Sequence, residues 1–214
     1  GGGWYDEQDQ KWYMWVSEMA DHCGMHTWTT NSQTVRASSK TATGLYLREN
    51  VEFPIWSHVS VVTVAPTGEY VAFFSYNPNE GPSRPVCNCT DGSTPSTCHK
   101  KAKVSAPMIE NTDPTYMSYS TSPTGNWSKP VLVLGPTIVP KMTPMDTNMA
   151  AVILSNGSLV GMWRDHEPTG KSVPHLVTAT NWKDAKTYVY SRDDLLFGKK
   201  KVKIENDEQQ IQHH

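Results

Sequence analysis

The sequence of 214 residues contains no long apolar run and no strong excess of charge of either sign. No stretch of about 18 consecutive apolar residues is present, so no membrane span is expected. Charged residues make up 19% of the chain and the net charge is −2, which gives no basic surface for a nucleic acid partner. No apolar pattern with a helical period is sustained, and we therefore expect almost no helix.

What the sequence does contain is a repeated two-part phrase. Its first part is an apolar run, a turn and a second apolar run, found at 59–75 and again at 150–163. The turns are Pro66-Thr67-Gly68 and Ser155-Asn156-Gly157. Because Gly and Asn readily adopt the positive φ of tight turns, each run predicts a β-hairpin.

The second part of the phrase is a strand, a small polar turn and an aromatic residue. It runs from Tyr116 to Trp127 and is echoed at 35–46 and 176–188. We expect the aromatic residue to pack on the neighbouring unit, where one unit alone cannot bury its face. Repeated units of four short strands are typical of a β-propeller, and an ordinary β-sandwich is the alternative.

These motifs resemble the five-bladed β-propeller of glycoside hydrolase family 43 and its relatives, the arabinanase, levansucrase and invertase superfamily. The resemblance covers roughly Trp4 to Phe197, and it is carried by four segments: Lys11–Met19 with the following His22-Cys23-Gly24, Trp56-Ser57-His58, Tyr119–Pro130 and Asp146-Thr147-Asn148. It implies an all-β fold of four-stranded antiparallel blades.

The size of the chain implies an incomplete ring. Five blades need on the order of 300 residues, and the sequence holds about three units and a remnant. We expect residues 1–197 to form blades with a cysteine-rich loop insertion at 77–113, and 198–214 to be a charged tail or the start of a further blade. The remaining blades would come from a longer parent chain or from another chain in a homo- or hetero-assembly.

The resemblance also implies where chemistry would occur. Glycoside hydrolysis needs two carboxyl groups across the scissile bond, and the family places acidic residues before the inner strands of successive blades. Asp146 is the best-placed acid here and Glu18 is the second candidate, whereas the second inner strand opens at His58 without a carboxylate. Candidate substrate-binding residues are His58, Asn148, Trp28, Trp163 and Arg164. The alternative is that both carboxylates cap turns or accept backbone hydrogen bonds, and that the tryptophans fill space between blades.

Cysteines and glycosylation sequons favour a secreted glycoprotein. Cysteines in loops indicate an oxidising compartment, and we expect two disulfides among Cys23, Cys87, Cys89 and Cys98. A zinc site of Cys87, Cys89, Cys98 and His99 is the alternative, although its Cys-x-Cys spacing is tighter than usual. No metal or other cofactor is expected. The sequons lie at Asn88, Asn126 and Asn156.

Two functions from different classes follow. The first is an extracellular glycoside-hydrolase-like propeller that acts on polysaccharide or derives from enzymes that do. The second is a non-catalytic propeller that binds glycans or serves as a structural module of an extracellular assembly. The second inner strand opens at His58 without a carboxylate, and this favours the non-catalytic function.

Overall fold

The computed structural model describes residues 1–20, 31–54, 57–76, 114–135, 138–139, 148–166 and 172–191. These residues form three four-stranded sheets, and each sheet is an antiparallel meander. The predicted all-β fold is therefore confirmed, and it has the form of an incomplete β-propeller. The predicted insertion at 77–113 and the tail at 198–214 lie outside the described residues.

Each sheet is one blade, and its strands follow one another along the chain. The first sheet contains β1 Gly2–Asp6, β2 Lys11–Met19, β3 Ser32–Ser39 and β4 Leu47–Phe53. The second contains β5 Ser57–Val64, β6 Tyr70–Tyr76, β7 Thr115–Ser120 and β8 Val131–Leu134. The third contains β9 Ala150–Ile153, β10 Leu159–His166, β11 Ser172–Ala179 and β12 Tyr188–Tyr190, with a 3-10 turn at Ala185–Thr187.

Two of the hairpins lie where the turn residues predict them. Gly68, between β5 and β6, has a φ of 94°, and Gly157, between β9 and β10, has a φ of 79°. Both values are in the left-handed region, which a residue with a Cβ adopts only at a cost. The residues of these turns therefore determine where the chain reverses direction between β5 and β6 and between β9 and β10.

The core consists of two layers, one on each face of the second sheet. All residues of β6 are buried except Tyr76, because this sheet is covered on both faces. Phe74 belongs to the layer shared with the first sheet, and Phe73 belongs to the layer shared with the third. Successive side chains of a strand point to opposite faces, so this adjacent pair serves both layers. The apolar run at 70–76 follows from this double burial.

In two of the three copies the aromatic residue of the repeated phrase packs on the preceding sheet, as predicted. Trp127, after β7, contacts Phe53 of the first sheet with ring centroids 5.1 Å apart. Trp182, after β11, contacts Tyr119 of the second sheet in an edge-on arrangement with centroids 5.5 Å apart. The same position in two blades thus forms the same kind of seam between sheets.

The outer face of the third sheet is apolar and open to solvent. Val152 and Val160 pair across β9 and β10 and are 56% and 38% exposed, while Met162 and Val189 are 51% and 65% exposed. The opposite face of the same sheet is buried against the second sheet. No described residues form a layer over this face, and an exposed apolar face is expected where a propeller is incomplete.

Candidate functional site

The first strands of the three sheets lie side by side, and three residues in or just before the first halves of these strands, Gly1, Ser60 and Asn148, meet near one end of the sheets. The backbone nitrogen of Gly1 donates to the carbonyl oxygen of Ser60 at 2.8 Å. The hydroxyl of Ser60 lies 3.5 Å from the side-chain oxygen of Asn148. Three successive inner strands therefore converge on Ser60. We call this place, defined by Gly1, Ser60 and Asn148, the mouth.

Two local irregularities shape the mouth. The pairing of β5 with β6 shifts register between Val59 and Val61, so that Ser60 has no partner in the ladder. Such β-bulges turn a side chain away from the regular alternation. Asn148 has a φ of 34°, a left-handed conformation that is uncommon for a residue other than Gly. Strained backbone of this kind is concentrated at functional sites.

Two serines of the first sheet contact β5 beside Ser60. The Nδ1 atom of His58 lies 3.0 Å from the hydroxyl of Ser32, within hydrogen-bond distance. The hydroxyl of Ser17 accepts a hydrogen bond from the backbone N–H of Val59 at 3.0 Å. The predicted substrate-binding residues His58 and Asn148 thus both lie near Ser60, at the starts of neighbouring inner strands.

Glu18 lies at the end of β2, near the same end of the sheets, and is held by two partners. Its Oε2 accepts from Nε of Arg48 at 2.8 Å, and its Oε1 accepts from Nη2 of Arg48 at 3.1 Å and from the amide of Gln33 at 2.7 Å. The hydrogen bonds and the charge of Glu18 raise the pKa of Arg48. These donors favour the ionised carboxylate, which suits a base, a nucleophile or an anchor better than a proton donor.

Trp163 is buried rather than exposed at the mouth. Its side chain is 1% exposed, and its ring lies 4.7 Å from that of His175, which is 5% exposed. Neither ring offers an open face on which a sugar could stack. The neighbouring Arg164 is half-buried. Trp163 also belongs to the core layer between the second and third sheets, which agrees with the alternative that the tryptophan fills space between blades.

Several candidate residues fall outside the described part of the chain. These are the acid Asp146, the aromatic Trp28, the sequon Asn88, and the cysteines and histidine Cys23, Cys87, Cys89, Cys98 and His99. Within the described ranges no three His, Cys, Asp or Glu side chains are grouped so that they could hold a metal ion. No helix in those ranges is long and apolar enough to cross a membrane.

The two described sequons are both accessible on connections between strands. Asn126 is exposed and follows the turn between β7 and β8. Asn156 is exposed at the turn between β9 and β10, where its side-chain oxygen accepts from the backbone N–H and the hydroxyl of Ser158, at 3.0 and 2.6 Å. Both asparagines can therefore be reached from solvent.

Sequence reasoning missed Ser60, Ser17 and Ser32. One local signal for Ser60 exists, because Val59, Val61 and Val62 break a strict alternation, and such a break indicates a bulge. Ser17 and Ser32 reach the mouth only through contacts with β5, which are distant in sequence. No local pattern marks them.

The fold is similar to that of several glycoside hydrolases. A family 117 glycoside hydrolase from the marine bacterium Zobellia galactanivorans aligns with a TM-score of 0.56 and 13% identity, over 89% of this chain and 53% of that one. A GH43_12 protein retrieved from a capybara gut metagenome gives 0.56 and 10%, over 91% and 31%. An α-L-arabinofuranosidase from Podospora anserina gives 0.51 and 8%, over 88% and 47%. No family model and no curated protein matches the sequence.

These neighbours are five-bladed β-propeller glycoside hydrolases, and this chain shares their fold. The resemblance inferred from the sequence motifs is thereby confirmed at the level of the fold. The chain spans between 31% and 53% of the length of these three structures, in agreement with three blades of a larger ring.

Proposed function

We propose that this chain is part of an extracellular, glycoside-hydrolase-like propeller whose mouth binds polysaccharide. The observation that carries the proposal is the convergence of three inner strands on Ser60, with Asn148 and His58 beside it. Hydroxyl, amide and imidazole groups can each donate to and accept from sugar hydroxyls. The shared fold of the glycoside hydrolase neighbours supports the same assignment.

In this proposal Asp146 is the candidate acid, because it lies two residues before Asn148 in the sequence. Glu18, whose carboxylate accepts hydrogen bonds from Arg48 and Gln33, is the candidate second carboxylate. Arg164 and Trp28 remain candidate substrate contacts. The stacking role proposed for Trp163 requires a rearrangement that uncovers its ring.

The alternative function is a propeller that binds glycans without cleaving them. It is favoured by a specific observation: the described residues of the mouth provide hydroxyl, amide and imidazole groups but no carboxylate, and Glu18 is tied to Arg48. Hydrolysis needs a pair of carboxyl groups, whereas binding does not.

One experiment separates the two functions. The full chain and its Asp146→Asn variant would be incubated with a panel of plant, algal and matrix polysaccharides, and released sugars would be measured together with retention on a glycan array. Hydrolysis that Asp146→Asn abolishes, with an unchanged melting temperature, supports the enzyme. Retention without cleavage supports the binding module. If the chain neither cleaves nor retains any of the polysaccharides, the proposal as a whole is contradicted.

Secretion, N-glycosylation and disulfide formation belong to the same proposal. The exposure of Asn126 and Asn156 supports glycosylation of both when the chain passes through a eukaryotic secretory pathway. Mass spectrometry of chain secreted from such a host, before and after reduction, tests all three. Four cysteines that can be alkylated without reduction would contradict disulfide formation. Asn126 and Asn156 both found unmodified would contradict N-glycosylation.

A further inference from the structure

A groove separates the first and second sheets on the outer wall, away from the inner strands. It has a volume of about 530 Å³ and lies between β4 and the connection from Thr124 to Pro130. Sites for small ligands typically enclose about 300–1,000 Å³, so the groove is large enough for one or two sugar units. Tyr76 lines the side of the groove nearest the mouth, because it pairs with Ser57, the first residue of β5.

The floor of the groove is aromatic. Phe53 and Phe74 stack with ring centroids 4.2 Å apart, and Trp127 packs on Phe53 at 5.1 Å. The two phenylalanines are buried, whereas Trp127 and Tyr76 are half-buried and contribute partly open rings to the lining. Partly open aromatic rings with polar groups nearby provide both an apolar surface and hydrogen bonds for a ligand.

Among the described residues around the groove, one cation makes no ion pair. The carboxylate of Glu52 is 4% exposed and already binds Arg36 at 2.6 Å and the indole N–H of Trp127 at 2.7 Å. Lys129 on the rim is exposed and makes no ion pair with any residue in the described ranges. With Glu52 neutralised, the ammonium group of Lys129 gives the groove a positive charge that favours an anionic ligand.

Uncharged polar groups complete the lining. The side chain of Tyr76 makes no hydrogen bond to other described residues, and the amide of Asn50 makes only a long contact of 3.4 Å with Glu52. Amide and phenol groups of this kind can bind hydroxyls of a ligand without breaking existing hydrogen bonds.

We propose that the groove is a second binding site, which takes an acidic saccharide unit such as a uronate or a sulfated sugar. Lys129 pairs with the anionic group, the Asn50 amide binds hydroxyls, and the rings of Trp127 and Tyr76 cover an apolar face of the sugar. The choice of a saccharide rests on the proposed function of the mouth, whereas the preference for an anion rests on Lys129 and the neutralised Glu52.

The test is binding by the full chain of three oligosaccharides of equal length: an oligouronate, a sulfated oligosaccharide and a neutral one. Calorimetry would be repeated with Lys129→Gln, Lys129→Glu and, as a matched control, Lys186→Gln, whose lysine is exposed on the third sheet. We expect Lys129→Gln to weaken binding of at least one acidic ligand by about 5–10-fold, Lys129→Glu to abolish it and Lys186→Gln to leave it unchanged. The two acidic ligands distinguish a carboxylate from a sulfate ester.

The outcome also separates the groove from the mouth. Binding of acidic ligands that Ser60→Val leaves intact and Lys129→Glu abolishes supports the groove, whatever the mouth does. Binding that Lys129→Glu leaves intact, or that is equally strong for the neutral oligosaccharide, overturns the groove without affecting the proposal for the mouth. Melting temperatures equal to that of the unmodified chain would show that the Lys129 variants fold.

Discussion

The mouth and the seams between sheets use polar side chains in opposite ways. In the seam between the first and second sheets, Arg36 and Glu52 are 9% and 4% exposed and form an ion pair at 2.6 Å. At the mouth, Ser60 and Asn148 are half-buried, 3.5 Å apart, and carried by irregular backbone. The comparison teaches that the seams use strong polar contacts to bind the blades together, whereas Ser60 and Asn148 make one long contact with each other, which suits the proposed binding of a ligand.

The two seams also differ in where their ion pairs lie. Arg36 joins the sheets from inside, since it also donates to the carbonyl oxygen of Pro123 at 2.7 Å. The seam between the second and third sheets instead carries its charge at the surface, where Lys183, 44% exposed, binds Glu69 at 2.5 Å. The Lys183 ammonium also lies 4.9 Å from the centre of the Trp182 ring. A buried pair and a surface pair therefore occupy equivalent seams.

The largest loss of stability is expected from Arg36→Met. Removing the guanidinium leaves the Glu52 carboxylate buried without its counter-ion, and breaking a buried ion pair in this way costs about 3–5 kcal/mol. Equilibrium unfolding in denaturant measures the change in the free energy of unfolding. Arg48→Met is the matched control, because Arg48 is 50% exposed and its pair should contribute less than about 1 kcal/mol. Equal losses for the two variants would contradict the distinction between seam and surface.

A smaller difference is expected between the two tryptophans of the repeated phrase. Trp127→Phe removes the N–H that donates to Glu52, and leaving that buried oxygen without its donor costs about 1–3 kcal/mol. Trp182→Phe keeps most of its ring contacts with Tyr119, so we expect about 1 kcal/mol or less. Both are measured by the midpoint of denaturant unfolding. A loss for Trp182→Phe that equals or exceeds the loss for Trp127→Phe would contradict the role given to the Trp127 N–H.

The surface pair predicts a modest dependence on pH. Hydrogen bonds from Lys183 and Thr67 lower the pKa of Glu69 below its usual value. A depressed carboxyl pKa stabilises the fold above the unfolded-state value, and that stabilisation is lost as the pH falls through the folded-state value. Glu69→Gln should therefore lower stability by about 0.2–1 kcal/mol at pH 7 and by less below about pH 4. A loss that is independent of pH would exclude the ion pair as its cause.

The smallest change in stability is expected at the mouth. Asn148→Gly relieves the cost of a positive φ but raises the entropy of the unfolded chain, and the two effects offset each other to within about 1 kcal/mol. The same variant removes the amide beside Ser60, so affinity for an oligosaccharide should fall by about 5-fold. Thermal unfolding and calorimetry measure the two quantities. A large loss of stability with unchanged affinity would assign Asn148 to the structure rather than to the site.

Features of the fold that depend on local sequence could be predicted. The turns at Gly68 and Gly157 are specified by residues that tolerate positive φ, and the packing of Trp127 and Trp182 follows from their equivalent places in the repeat. The turns are settled within a few residues of the chain, whereas the tryptophan contacts could be predicted only because the motif repeats from blade to blade. Of the site, the positions of His58 and Asn148 at the starts of inner strands could be predicted for the same reason.

Features that depend on contacts distant in sequence could not be predicted. Glu18 acquires Arg48 as a partner through the arrangement of the strands of the first sheet. Trp163 is buried because β11 brings His175 against it, which no local pattern shows. The close approach of Ser60 and Asn148 depends on how the second and third sheets pack against each other. Such contacts are set by tertiary structure. The sequence motifs therefore locate the region of the candidate site but do not identify all of its residues.

The most direct test of the account is an NMR titration of the full chain with a neutral oligosaccharide taken from the polysaccharide that the panel identifies. The account predicts that the amide signals of Ser60 and Asn148 shift most, and that those of Gly68 and Gly157, at the opposite ends of the inner strands, do not move. It predicts also that Ser60→Val removes the shifts while Ser158→Val, at a hairpin turn, preserves them. Shifts confined to the hairpin turns, with Ser60 and Asn148 unmoved, would contradict it.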